Sequence, residues 1–321
     1  MRLKLVPAET NWDFFRHAKL TFGASVVAVI VSIFLFFSMG LNFGIDFRGG
    51  TTIRTDAEQT VDVGAYRDAI APLGLGDVSI TQVFDPTRPN LNVTQIRIEA
   101  QEGVESVSET TIAAVREALQ AVDPSITFQE VSSVGPKVSG ELIKAAVYAV
   151  LAAMGAVLFY IWLRFEWQFS VGAVAALFHD VLITIGVFSL LQIKFDLAII
   201  AALLTIVGYS LNDTVVVFDR LRENLRKYKK MELRDVMNMS VNETLSRTVM
   251  TSVTTLLALL ALYFLGGDVI RGFVFAMIMG VVIGTYSSVF VAKNIVLFLG
   301  VKRDWSKTDA NKGNQFANID A

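Results

Sequence analysis

Val207-Gly-Tyr-Ser-Leu-Asn-Asp-Thr-Val-Val-Val-Phe-Asp-Arg220 starts inside an apolar run and ends in a basic segment. Asp213 lies among residues that otherwise read as membrane-buried. A carboxylate there costs roughly 2.5–3.5 kcal/mol on insertion scales, a cost tolerated where the charge faces a bundle interior or a water path. The surrounding chain supplies the membrane. Its 321 residues are 53% hydrophobic and only 18% charged, with a mean hydropathy of +0.53. That composition predicts a polytopic α-helical membrane protein.

Several chemistries drop out at once. The chain has no cysteine, which removes disulfides, thiol nucleophiles and Cys-type zinc sites. Two histidines, His17 and His179, make a His-built metal site improbable, so no metal is expected. No phosphate-cradling GxxxxGK[ST] is present, and no cofactor is expected.

Outward from residues 207–220, apolar runs cover 20–41, 141–163, 169–191, 197–218, 248–265 and 270–299. The first, 20–41, is too long for a signal-peptide core and lacks a clear cleavage site, so it reads as a retained helix. Residues 1–19 carry Arg2, Lys4, Arg16 and Lys19 around Trp12, Phe14 and Phe15. They read as a cytoplasmic segment, either at the lipid interface or as a solvated tail. Cations crowd 219–246, predicted as a basic cytoplasmic loop, and the tail 300–321, which is polar and predicted disordered. The loops near Lys194 and Asp268 are short and poor in cations. The positive-inside rule then gives six helices with both termini cytoplasmic.

Residues 44–140 form a polar insert between the first two helices. Thr51–Thr55, Val78–Phe84, Val93–Ile98 and Ile126–Val131 alternate like strands. Val61–Leu73, stopping at Gly74, and Glu105–Val122 have helical spacing. The order βαββαβ predicts a small ferredoxin-like α+β domain. Its acidic residues outnumber its basic ones, which suits the extracytoplasmic side. Asp46, Gly49 and Gly50 lie at its root. The glycine pair fits a hinge-like turn or an ordinary turn into the first strand.

Inside the predicted membrane helices, His179-Asp180 is either a structural polar pair or part of a proton route. Thr205, Tyr209 and either Asn212 or Asp213 share one face of helix four. Arg247 on helix five either snorkels to the surface or pairs with Asp213, holding it ionised until the two separate. Gly272, Ala276, Gly280, Gly284 and Ser288 recur every fourth residue on helix six, a stripe read as packing without chemistry.

Three stretches carry a family resemblance: Gly44-Ile-Asp-Phe-Arg-Gly-Gly-Thr51, Gly208 through Arg220, and Asn242-Glu-Thr-Leu-Ser-Arg-Thr-Val-Met-Thr-Ser-Val-Thr-Thr255. The chain resembles, on its SecF side, the SecD/SecF family of bacterial protein-export subunits in the resistance-nodulation-division superfamily. The resemblance implies a location in the inner membrane and a SecD partner that completes a twelve-helix unit. It implies work beside the SecYEG channel, with YajC, on a preprotein driven first by SecA. Membrane lipid is the remaining contact, and nucleic acid is not one. The resemblance also implies use of the proton motive force, with Asp213 as the family's intramembrane aspartate and Arg247 as its arginine. It implies no enzymatic activity. A proton-coupled exporter of small molecules or lipids, a structural assembly subunit and an intramembrane aspartyl protease built on Asp180 and Asp213 are the rivals. The protease is disfavoured because Gly-x-Gly-Asp is absent.

Overall fold

The computed structural model of the chain describes residues 7, 10–76, 78–86, 88–99 and 107–301. The predicted tail from residue 302 and part of the N-terminal segment lie outside them.

Helix α1 (Ala18–Met39) leads through a short α2 (Ile45–Arg48) into a sheet domain: β1 (Gly50–Ala57), α3 (Val63–Ile70), β2 (Val78–Val83), β3 (Asn92–Glu99), α4 (Glu109–Val122) and β4 (Thr127–Val134). The strands lie in the order β2-β3-β1-β4, with every neighbouring pair antiparallel. Helix α3 starts where Asp62 accepts from the Gly64 and Ala65 amides, and α4 where Ser108 accepts from Thr111; each cap satisfies amides the helix leaves open. The two helices bury Tyr66, Ile70, Val115 and Leu119 against Ile53, Ile96 and Ile98 of the sheet. After α3 a single 3₁₀ turn (Ala71–Leu73) stops at Gly74, whose φ of +63° favours glycine.

The membrane part follows as α5 (Pro136–Arg164), α6 (Trp167–Leu191), α7 (Leu197–Lys227), α8 (Leu233–Leu265), α9 (Asp268–Ser287), a π turn (Ser288–Ala292) and α10 (Lys293–Leu299). Among the described residues, six spans are long and apolar enough to cross a membrane: α1, α5, α6, α7, α8, and α9 through α10. Helices α6, α7 and α9 form the inside, around Leu177, Phe188, Ile199, Leu203, Ile206 and Met277. Helices α1, α5 and α8 turn apolar faces outward.

Two boundaries differ from the sequence reading. Helix α5 starts at Pro136, so the insert ends in the helix itself, with no separate linker to residue 140. Proline suits a first helical turn, where its missing N–H costs nothing. The expected loop 219–246 is mostly helix, because α7 continues to Lys227 and α8 begins at Leu233. Leu221, Leu225, Val236 and Met237 keep a helical apolar stripe beneath the charges and bury it. Arg220 pairs with Glu223 and Glu243 at 2.6 Å, tying the hairpin together.

The sheet domain is joined to the helices at more than its two covalent links. Phe43 bridges Phe195, and Arg97 donates to the Phe43 carbonyl at 2.9 Å. Asp268 at the start of α9 accepts from the Phe84 amide at 2.5 Å and returns its own amide to the Phe84 carbonyl at 3.1 Å.

Candidate functional site

The small-residue stripe on α9 is what builds the site. A methyl group on Gly280 would collide with Ile206, and one on Gly284 would come within 3.0 Å of Ser210. Gly272 faces Ile199 and Ala276 is fully buried. Glycine therefore lets α9 seat directly on α7, as small-residue stripes do. Ser288, the last member of the stripe, then reaches Asp213: its hydroxyl donates to Oδ2 at 2.8 Å. From α8 the Thr248 hydroxyl donates to Oδ1 at 2.7 Å.

Asp213 is 8% exposed and bonded to two hydroxyls. Arg247 forms no ion pair with it, nor with any other carboxylate among the described residues; its side chain lies on the exposed outer face of α8. Of the two readings of Arg247, the direct pair with Asp213 is not made in this arrangement, and the side chain is exposed as in the snorkelling alternative. The face-sharing on α7 also resolves. Ile206, Ser210, Asp213 and Val217 point inward, whereas Thr205, Tyr209 and Asn212 share the outer side with exposed Thr251 and Thr254 of α8. Tyr209 donates to Thr255 at 3.4 Å across the two helices.

A second carboxylate lies close by. Asp180 of α6 is 0% exposed. Its Oδ2 accepts from Ser210 of α7 at 2.6 Å and from Ser287 of α9 at 2.8 Å. Its Oδ1 lies 2.9 Å from His179 Nδ1, which donates in the tautomer that bonds, leaving the buried Nε2 without a partner. Tyr286 stacks on the His179 ring at 6.2 Å between centroids. The Tyr286 hydroxyl donates to the Thr21 carbonyl and accepts from Ser25, carrying the polar cluster to α1. Asp180 and Asp213 thus hang from adjacent serines, Ser287 and Ser288, where α9 gives way to the π turn. Such turns are rare and frequent at functional sites.

At the domain end, Asp46 accepts from the Leu197 amide at 3.0 Å and Asp196 from that of Ile199 at 3.3 Å, so two carboxylates cap α7. Burial pushes the Asp196 carboxyl up, against the opposing pull of Lys194. Gly49 (φ +77°, ψ 169°) and Gly50 (φ +128°) take backbone conformations closed to other residues without strain. These angles place a glycine turn at the root of the domain.

Sequence reasoning gave no role to Ser210, Ser287, Thr248 or the hydroxyl of Ser288. It also passed over Lys293, a cation visible in the run 270–299. Lys293 is 1% exposed, donates to the Phe14 carbonyl and lies 4.2 Å from the Phe15 ring centroid.

Comparison with known proteins gives a consistent set. The family model described as "Protein export membrane protein SecD/SecF, C-terminal" matches residues 114–302, and that described as "SecD/SecF GG Motif" matches 34–61, including Gly49 and Gly50. The protein translocase subunit SecF of Cereibacter sphaeroides is 65% identical over 100% of this chain and 99% of its own length. The same subunit of Rhodobacter capsulatus is 61% identical over 96% and 95%. The crystal structure of SecDF, a translocon-associated membrane protein from a Thermus species, is 36% identical with a TM-score of 0.80. The match covers 93% of this chain but spans only 40% of that longer one.

Proposed function

The chain belongs to the SecD/SecF family of protein-export membrane proteins, and on that footing we propose that it is a protein translocase subunit using the proton motive force to promote preprotein translocation. It is a multi-pass inner-membrane protein. The observation that carries the proton reading is Asp213, a buried carboxylate bonded by neutral hydroxyls. A carboxyl in that setting gains or loses a proton without stranding a buried cation. A membrane potential of about 100 mV offers roughly 2.3 kcal/mol per charge moved. His179 and Asp180 extend the proton route toward α1, and Asn212 and Arg247 line its outer face.

The partner is SecD. Thr205, Asn212, Arg247, Thr251 and Thr254 form an exposed polar face on apolar helices. Lipid is a poor neighbour for such a face, so a second subunit covers it. SecD brings the remainder of the longer unit, beside SecYEG and YajC. The βαββαβ domain is ferredoxin-like and sits on the outer side, with both termini cytoplasmic. There, Asp46, Gly49 and Gly50 form the root through which helix motion reaches the domain and the emerging preprotein. The protein works as a transport subunit and not as an enzyme.

Translocation of a preprotein in inverted membrane vesicles carrying the full complex tests this. Asp213→Asn abolishes the gradient-dependent step and Asp213→Glu retains part of it. Wild-type behaviour of Asp213→Asn would leave the chain a structural assembly subunit. Uptake of small molecules or lipid by the chain alone would turn the reading toward an exporter.

A further inference from the structure

We infer that Ser287 and Ser288 are positioning residues that couple Asp180 to Asp213, so that the two buried carboxyls answer a proton as one site; the inference rests on Asp213 being a titrating group. In a regular helix neighbouring side chains point about 100° apart. Here the two adjacent hydroxyls reach carboxylates on two different helices, α6 and α7, because α9 is wedged between them and widens into the π turn at Ser288.

Each serine has a second acceptor within reach. Ser287 lies 3.1 Å from the Gly284 carbonyl and Ser288 3.0 Å from that of Thr285. A hydroxyl carries a single proton to donate but has two lone pairs to accept with. With Asp213 ionised, Ser288 and Thr248 both donate to it. When Asp213 takes a proton, its own O–H becomes a donor and needs an acceptor. Ser288 provides one by turning its proton to the Thr285 carbonyl, and no atom is left unpaired. Thr248 has no comparable second acceptor within reach among the described residues, so the reversal falls to Ser288. Ser287 immediately precedes Ser288 as the last residue of α9, so a shift at this junction changes the bond to Asp180 as well.

The surroundings leave the serines in control. Around Asp213 stand Thr248 from α8 and Ser288 from α9, with the Arg247 charge acting through space from the exposed side of α8. Around Asp180 stand His179 on its own helix, Ser210 from α7 and Ser287 from α9, with the Tyr286 ring behind His179. Lys293, the nearest cation along the chain from the π turn, is held by Phe14, Phe15 and Phe290.

Infrared difference spectroscopy reads the carboxyls directly, without translocation. The full chain, purified with its partner subunit in lipid nanodiscs, is titrated, and Asp213→Asn and Asp180→Asn assign the two carboxyl bands. Ser287→Ala, which removes a bond to Asp180 and none to Asp213, is expected to move the titration midpoint of Asp213 as well, and Ser288→Ala that of Asp180. Each cross-shift is expected at about one pH unit, a tenfold change in proton affinity. Ser287→Thr and Ser288→Thr keep the hydroxyl and restore the wild-type midpoints. Alanine variants that move only the band of their own bonded carboxyl, or neither band, overturn the coupling. Absence of any Asp213 titration in the wild-type complex overturns the proton reading itself, a separate result.

Discussion

Asp56 and Asp213 are both buried carboxylates, and the molecule compensates them in opposite ways. Asp56, in the central strand of the sheet, is 2% exposed and ion-paired to Arg88; Asp85 nearby is paired to Arg54 at 2.5 Å. Asp213, in the membrane, receives only hydroxyl hydrogen bonds. An ion pair fixes the charge, because losing one partner strands the other. Hydroxyls leave the charge free to change, since they donate to a carboxylate and accept from a carboxylic acid. Asp56 is thereby held as a structural charge, whereas the hydroxyls around Asp213 suit the change of charge proposed above.

The sharpest way to break this contrast is to neutralise each acid. Asp213→Asn keeps an acceptor for one of the two hydroxyls and is expected to fold normally while losing gradient-driven translocation by tenfold or more, about 1.4 kcal/mol on the driven step. Vesicle translocation beside a thermal melt separates the two effects. If translocation survives, the adjustable acid has no use.

A second route leaves the acids alone and moves their donors. Gly280→Leu forces a side chain into Ile206 and pushes α9 off α7. Ser288 lies eight residues further along, so its hydroxyl is withdrawn from Asp213. Overpacking of this kind costs about 1–3 kcal/mol, and translocation falls with it. Gly155→Ala, whose added methyl meets nothing within 4 Å, is the control. Equal behaviour of the two variants would mean that the close seating is dispensable.

How much of this was readable in the sequence follows from what each feature contrasts with. Six apolar runs and a βαββαβ order stand out through periodicity. Asp180, His179 and Asp213 stand out as polar residues against apolar neighbours. Their donors do not, because serine and threonine in a helix commonly bond back to their own backbone, as Thr205 and Thr254 do here. Which hydroxyl instead crosses to a carboxylate depends on helix seating, and that depends on Gly280 and Gly284 together. The choice between Asn212 and Asp213 had the same cause: both fit a helical spacing, and only the packing of α9 shows which faces inward. The charged ends of α7 and α8 read as a loop because their apolar stripe is narrow. The π turn has no period to betray it.

The fixed-charge side of the comparison predicts a smaller effect. Arg88→Met leaves Asp56 buried without its cation. Arg88 is itself 41% exposed, so solvent reaches the pair and the loss is on the order of 1–3 kcal/mol of domain stability, with translocation chemistry unaffected. The chain has no cysteine, which allows a clean readout. Ala57→Cys places a thiol at a buried position of β1, and its labelling rate reports opening of the domain. Unchanged labelling in Arg88→Met would show that Asp56 does not need its partner.

The smallest effect belongs to Tyr66 and Asp123, where the domain holds an acid by hydroxyls as the membrane does, but with a different result. Ser125 donates to Asp123 Oδ1 at 2.6 Å and Tyr66 to Oδ2 at 3.3 Å. The Ser125 hydroxyl, then its amide and Tyr66, hold the Asp123 carboxyl below the usual range against the opposing effect of burial. Burial first, then the neighbouring Asp123 charge, pushes the Tyr66 hydroxyl up to about 12. A lowered carboxyl contributes stability above its ordinary value near 3.8, and that contribution is lost as pH falls below it. A raised phenol contributes fully below its unfolded value of about 10 and loses the contribution as pH climbs from there toward 12. Tyr66→Phe should therefore flatten the alkaline limb of domain opening, read by labelling of the same Ala57→Cys thiol, and leave most of the acid limb in place, because Ser125 remains. An alkaline limb as steep in Tyr66→Phe as in its parent would assign that limb to other groups. Asp123 would then be held by Ser125 alone.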